Sequence, residues 1–153
     1  MSKKCIGIDI GGTSVKIGLF ELDGTLMDKW EVPTSKENNG ESILKDIAVS
    51  IKAKLKEKAL TLSDIAGAGM GLPGPVSPDG YVEVCVNLGW RDRYPERELS
   101  QLLEEVPVKS GNDANVAALG EMWQGGGKGV KDLVTVTLGT GVGGGVILNE
   151  KIV

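Results

Sequence analysis

Three places in this sequence hold residues that could do chemistry. The first is Asp9-Ile10-Gly11-Gly12-Thr13. Without Cβ atoms, Gly11 and Gly12 can take positive φ and admit a ligand to the backbone. Consecutive amides in such a turn can converge on one point and hold an anion. Asp9 brings a carboxylate to the same point, which repels phosphate unless a hard cation such as Mg²⁺ lies between them. Thr13 adds a hydroxyl donor. The stretch fits a Mg-nucleotide phosphate clamp, and it fits equally a tight hairpin whose glycines serve geometry and whose Asp caps the turn.

The second place is Gly139-Thr140-Gly141. At an offset of 128 residues, which lays Thr137 on Asp9, Ile10 falls on Leu138, Gly11 on Gly139 and Thr13 on Gly141. The flanking apolar strands line up without a gap. A strand-turn-strand used twice suggests two similar halves facing each other across a cleft, each offering a glycine turn to one ligand. The third place is Asp113, between a predicted strand and a predicted helix, where side chains project into the clefts of α/β folds. A carboxylate there could take a proton from a sugar hydroxyl as phosphate arrives. By spacing alone, Asp before Ala114-Asn115-Val116 reads first as a helix N-cap. Asn112 and Asn115 carry the same ambiguity, since Asn suits both turns and hydroxyl recognition.

The elements that must position these residues follow from periodicity. Lys4 to Ile8 is an apolar run suited to a buried strand, and Ser14 to Phe20 alternates as a second. A third strand covers Thr25 to Pro33, after a turn at Asp23-Gly24. About Gly40 to Ala59 is an amphipathic helix, with Ile43, Ile47, Ile51 and Leu55 at four-residue spacing and Leu44 and Ala48 widening the stripe. Ile65 to Leu72 is a short buried strand that Pro73-Gly74-Pro75 must end. The exposed end of such a strand is a common place for ligands, and the prolines fit a rigid turn equally well. Tyr81 to Val86 is a further strand, followed by Asn87-Leu88-Gly89-Trp90. Pro95 to Glu105 is a short helix with Leu99, Leu102, Leu103 and Val106 inward. Pro107 to Ser110 is a strand, and about Ala114 to Gln124 a helix. Leu133 to Leu138 and Val142 to Leu148 form the second hairpin. Gly139-Thr140-Gly141-Val142-Gly143-Gly144 satisfies the dinucleotide pattern G-x-G-x-x-G, but that pattern needs a helix next and a strand follows here.

Composition narrows the chemistry. The chain has 153 residues, the length of one domain and enough for a core without disulfide staples. It has no histidine, which removes Ser-His-Asp and Cys-His catalysis and any His-based metal site. Acid-base work falls to carboxylates, lysines or tyrosines. Net charge is −4 with no basic cluster, so nucleic-acid binding has little electrostatic support. Aromatic residues make up 4% of the chain, so the core must be aliphatic. Cys5 and Cys85 each sit in an apolar run and read as buried free thiols of a reducing cytoplasm. No run is long enough to span a membrane, and no secretory signal is present.

Four motifs stand in order: Asp9-Ile10-Gly11-Gly12-Thr13 with Lys16, Gly71-Leu72-Pro73-Gly74-Pro75, Asn112-Asp113-Ala114-Asn115 running on to Glu121, and Leu138-Gly139-Thr140-Gly141 running on to Val146. Together they resemble the ROK family of bacterial sugar kinases and sugar-responsive repressors, and Asn87-Leu88-Gly89-Trp90 looks most like its glucokinase branch. The resemblance implies an α/β, actin-like ATPase, ribonuclease H-like fold: three antiparallel strands, then alternating helices and strands. It implies that Gly11, Gly12, Thr13 and Lys16, with Gly139, Thr140 and Gly141, face the phosphates of ATP, with Mg²⁺ held by Asp9 directly or through water. It implies Asp113 as the catalytic base, which reverses the preference for a cap, and Gly74, Asn87, Asn112 and Asp113 as sugar contacts. The function implied is phosphorylation of a hexose, first of all glucose at its 6-hydroxyl, in the cytoplasm. The alternative is a sugar-sensing regulator without kinase activity.

Family members run well past Val153, with further sugar ligands and often a cysteine-rich zinc site in the second half. The chain therefore reads as a truncated piece. Residues 1–115 form an N-terminal actin-like domain, and residues 116–153 a linking helix and the first hairpin of an incomplete second domain. Alone it is expected to be inactive, with zinc and a homodimer contact belonging to the missing half. The first strand begins within five residues of Met1, which leaves no room for the helix-turn-helix of the repressor members.

Overall fold

The computed structural model describes residues 2–138 and 142–153. Its main sheet begins with β1 (Lys4–Ile10), β2 (Ser14–Glu21) and β3 (Leu26–Pro33), paired antiparallel in sequence order. Alternation decides which side faces the core. Ile6, Ile8 and Ile10 of β1 and Val15, Ile17 and Leu19 of β2 are buried, while Gly7 and Asp9 turn to the other face. β4 (Ile65–Leu72) then adds to the free side of β1 in parallel, and β7 (Val108–Asn112) adds in parallel to β4. The strand order is β3-β2-β1-β4-β7.

The buried face is covered by α2 (Ile43–Glu57), which follows a single distorted turn, α1 (Glu37–Gly40). All six residues of the expected stripe in α2 are buried. The helix is shorter than its periodicity suggests at both ends. Asn38, Asn39 and Gly40 are left-handed (φ 51°, 59° and 68°), so the helix cannot begin before them. At the other end Ala59 turns left-handed (φ 58°), and the Leu60 N–H reaches back to the Leu55 carbonyl at 2.8 Å.

Between β4 and β7 lie a two-stranded ribbon, β5 (Val82–Cys85) with β6 (Trp90–Arg93), and α3 (Pro95–Leu102). β6 has no counterpart among the strands read from the sequence. The chain reverses through left-handed Gly89 (φ 75°), and three of the four β6 residues are polar. Leu99, Leu103 and Val106 point inward as expected, but Leu102 is only partly buried. Cys85 is buried, whereas Cys5 is half-buried: it alternates with the glycine-rich face of β1, not with the isoleucines. Both thiols are free.

α4 (Asp113–Gln124) leads to β8 (Leu133–Leu138), β9 (Val142–Leu148) and a short β10 (Lys151–Ile152), a second antiparallel sheet. α4 lies hard against β9 because glycine permits it. A Cβ on Gly145 would come within 2.7 Å of Ala118 Cβ and 2.8 Å of the Ala114 carbonyl. The two hairpins differ in register: Ile10 pairs with Val15, but Leu138 pairs with Val142, so one residue fewer separates the paired strands of the second and the gapless match ends there. Among the described residues no helix is long and apolar enough to cross a membrane.

Ile51 is wholly buried at the centre of the α2 stripe. Ile51→Ala is expected to destabilise the fold by about 2–5 kcal/mol, the usual range for a buried isoleucine truncated to alanine. Urea unfolding checks this through a lower midpoint at unchanged slope. A loss under about 1 kcal/mol would mean that α2 is not the main cover of the sheet.

Candidate active site

Parallel pairing brings the ends of three strands to one edge. Asp9 lies beside Gly71, Gly71 beside Gly111, and Leu72 beside Asn112. In α/β folds this carboxyl edge is where side chains and backbone are left free for a ligand. Asp9 projects from β1 on the open face, and Asp113 follows β7 as the first residue of α4. Gly71 forms the floor between them. A Cβ there would lie 3.6 Å from Asp113 Cα and 3.9 Å from Asp9 Oδ1. The floor carries no side chain, and both carboxylates open into one cleft of about 830 Å³. Pro73, Asn87 and Asn112 line the same side, and Thr137, Leu138, Val142 and Gly143 line the other.

The helix cap is Asn112, not Asp113. Asn112 is extended (φ −60°, ψ 139°), and its Oδ1 accepts the Ala114 N–H at 3.1 Å. Asp113 Oδ1 also accepts that N–H, at 2.8 Å, from a side chain that remains exposed. The other end of the Asn112 amide donates to the Gly74 carbonyl at 3.1 Å, which ties the Pro73–Pro75 loop to the start of α4. Gly74 itself does not line the cleft. Its α-carbon faces Cys85, whose Sγ would be 3.2 Å from an added Cβ. Burial pushes the Cys85 thiol up, so it stays protonated and inert as a nucleophile.

The first glycine turn departs from expectation in one respect: neither Gly11 nor Gly12 is left-handed. Gly11 is required for closeness, because a Cβ there would stand 2.9 Å from the Ser14 carbonyl. The Gly11 N–H donates to that carbonyl at 3.0 Å. Thr34, just past β3, then fastens the turn from outside. Its N–H donates to the Thr13 carbonyl at 2.9 Å and its hydroxyl to the Gly11 carbonyl at 2.8 Å. With the carbonyls so occupied, the Gly12 and Thr13 N–H groups have no partner among the described residues. Sequence reasoning missed Thr34. Its signal was only a Thr one residue beyond a strand that ends level with the turn.

Lys16 pairs with Asp9 across β1 and β2, but it lines an adjoining apolar hollow with Phe20, Trp30 and Val116, not the cleft. Gly139, Thr140 and Gly141 lie outside the described residues; their flanks Leu138 and Val142 reach the cleft. The Asp9 carboxyl titrates above the ordinary value of 3.8, chiefly because its surroundings desolvate it and then because the Asp113 charge opposes it, with Lys16 pulling the other way. Two carboxylates at odds in one cleft suit a hard cation. Mg²⁺ takes one or two protein carboxylates and completes its shell with water and phosphate oxygens, so Asp9 fits it. No group of three or more metal-ligating side chains occurs among the described residues.

A sheet of order β3-β2-β1-β4-β7 with its cleft at the carboxyl edge defines the class: the actin-like ATPase fold. The chain belongs to the ROK family, whose family model matches residues 5–153. It is 43% identical over 148 residues to a glucokinase of Halalkalibacterium halodurans, covering 96% of this chain and 44% of that protein. It is 32% identical to the xylose repressor of Caldicellulosiruptor bescii, covering 96% of this chain and 37% of that protein. Among solved structures it is similar to a ROK family glucokinase from Streptomyces griseus in complex with glucose and AMPPNP. There the TM-score is 0.84 at 32% identity, over 97% of this chain and 46% of that one. The chain thus spans less than half the length of the curated relatives it matches.

The raised Asp9 pKa has a defined sign. The folded state favours the protonated carboxyl, so this group adds stability below pH 3.8 and loses it as pH rises through the shifted value. Asp9→Asn is therefore expected to raise the thermal midpoint at pH 7, with the gain shrinking as pH falls toward 3.8. Melting curves across that range check it; a gain independent of pH would remove the desolvated, opposed charge of Asp9 as its cause.

Proposed function

We propose that the protein carrying this chain is an ATP-dependent hexose kinase, with glucose phosphorylated at its 6-hydroxyl. The observation that carries the reading is the pair of carboxylates, Asp9 and Asp113, on either side of the bare Gly71 floor in one cleft. The similarity to glucokinases over nearly the whole chain supports it.

Phosphoryl transfer needs little covalent help, so the work of the protein is positioning and charge neutralisation. Asp113, exposed at the start of α4, orients the sugar 6-hydroxyl and accepts its proton. Asn112 fixes the helix start and the Gly74 loop, and it offers its remaining amide hydrogen to a sugar hydroxyl together with Asn87. The Gly12 and Thr13 amides and the Thr13 hydroxyl receive phosphate oxygens, with Gly139, Thr140 and Gly141 doing so from the opposite hairpin and Lys16 adding positive charge nearby. Mg²⁺, when bound, neutralises charge on the phosphate oxygens; Asp9 would hold it, directly or through water. Residues 1–115 act as one lobe and residues 116–153 begin the other. The rest of the protein supplies further sugar contacts and a homodimer surface.

The similarity to a xylose repressor favours one second reading, a sugar-responsive regulator that keeps the cleft without turnover. The two separate on one assay: formation of glucose 6-phosphate from glucose and ATP by the protein carrying this chain, beside the 153-residue chain alone. Turnover is expected in the former. Binding of sugar with no turnover on any hexose would favour the regulator. Asp113→Asn is expected to keep sugar affinity while kcat falls by roughly 10²–10⁴-fold, the usual contribution of a general base. Near-normal kcat would sink the assignment of the base.

A further inference from the structure

Lys36 lies far in sequence from the four motifs, yet it arrives at the first glycine turn. Its Nζ is 3.6 Å from where a Cβ on Gly12 would stand, and among the described residues no other atom outside the chain neighbours of Gly12 lies within 4 Å of that position. The approach is held from both sides. Upstream, the two hydrogen bonds of Thr34 lock the chain to the turn only two residues before Lys36. Downstream, Asn38, Asn39 and Gly40 are all left-handed, a run that the chain does not adopt without external support. The support is visible. The Gly40 carbonyl accepts from Trp90 Nε1 at 3.0 Å and from Arg93 at 3.4 Å, and Gly89 is pressed so close that a Cβ on it would stand 3.2 Å from Asn39 Cα. Trp90 is fully buried while making that bond.

The cation so placed has no carboxylate within ion-pair distance among the described residues. The unpartnered Gly12 and Thr13 amides belong to the same turn, whereas Lys16 lines the apolar hollow that it shares with Asp9. Amides of a turn with an ammonium above them form the donor set that phosphate oxygens take, with lysine acting as a mobile point charge.

We infer that Lys36 is a further phosphate-binding residue, whose ammonium meets the oxygens of a triphosphate chain seated on the Gly11–Thr13 turn. The inference deepens the kinase reading and rests on it for the nucleotide. The shared chemistry is a triphosphate, carried by ATP or by inorganic tripolyphosphate. Lys36 stands at the phosphates and not at the sugar, so its loss acts on one substrate alone.

The test is titration calorimetry of the protein carrying this chain, with Mg²⁺ present, for the wild type, Lys36→Ala and Lys36→Arg. The probes are ATP, inorganic tripolyphosphate and glucose. Lys36→Ala is expected to weaken ATP and tripolyphosphate alike by about tenfold or more, in the range for a charge-assisted contact. Glucose affinity and the melting temperature should hold, and Lys36→Arg should stay within about threefold of the wild type. In turnover, the KM for ATP should rise with the KM for glucose unchanged. ATP and tripolyphosphate affinities within twofold of the wild type in Lys36→Ala would overturn the inference and leave an ordinary solvated lysine. Weakened ATP with unchanged tripolyphosphate would overturn it too, since the contact would then be to the nucleoside. A protein that binds tripolyphosphate through Lys36 yet forms no sugar phosphate would keep the inference and end the kinase reading. A wild type that binds neither triphosphate would end both.

Discussion

Two carboxylates are held at one edge of a sheet with nothing between them but a glycine. The surroundings of Asp9 desolvate its carboxylate and, to a lesser degree, the charge of Asp113 opposes it, so their meeting is imposed by the scaffold. Their common neighbour, Gly71, lies next to Asp9 in the β1–β4 register and next to Gly111 in the β4–β7 register. A one-residue slip of β1 would turn an isoleucine into the cleft and Asp9 into the core. The buried isoleucine row of β1 and the α2 stripe prevent that slip. The hydrophobic core thus does more than stabilise the chain: it fixes the register on which the electrostatics depend.

Around that constraint most groups have more than one task. Asn112 caps α4 with its carbonyl oxygen and ties the Gly74 loop with its amide, so that helix start and loop move as one piece. Thr34 occupies two carbonyls of the glycine turn and thereby leaves amides facing outward. Gly145 lets β9 reach α4, which sets the second hairpin across the cleft from Asp113. Each arrangement frees donors or space at the cleft by satisfying groups on the side away from it, as buried or half-buried backbone requires.

Much of this was legible in the sequence, and the failures have physical reasons. The strands themselves could be read from pattern, because β1 and β2 alternate and β4 is a short run of small apolar residues. The α2 stripe was read residue for residue. The apolar run misled at Cys5, which alternation puts out of phase with the isoleucines. Spacing misled at Asp113, because Asn112 and Asp113 are both good caps and only backbone geometry says which is extended. At Gly11 the sequence shows a need for glycine but not its kind: here it is close contact with Ser14, not a left-handed φ. β6 escaped notice because a short polar strand in a two-stranded ribbon has no hydrophobic signature. Val116, Leu119 and Trp123 of α4 are apolar yet exposed among the described residues, so apolar positions on a helix do not by themselves locate a core.

The stretch Asn87-Leu88-Gly89-Trp90 gives the last link. Asn87 faces the cleft, Leu88 is buried, Gly89 packs on Asn39 and Trp90 bonds the Gly40 carbonyl. Four consecutive residues therefore join the wall of the cleft to the left-handed turn that follows Lys36. That turn is joined in its own way, through Thr34, to the carbonyls of Gly11 and Thr13. Leu88 and Trp90 are buried on either side of Gly89, so the two ends of the stretch are anchored in the core. The connection consists of named contacts between close-packed groups, and it runs outside the cleft, behind the two carboxylates that it serves.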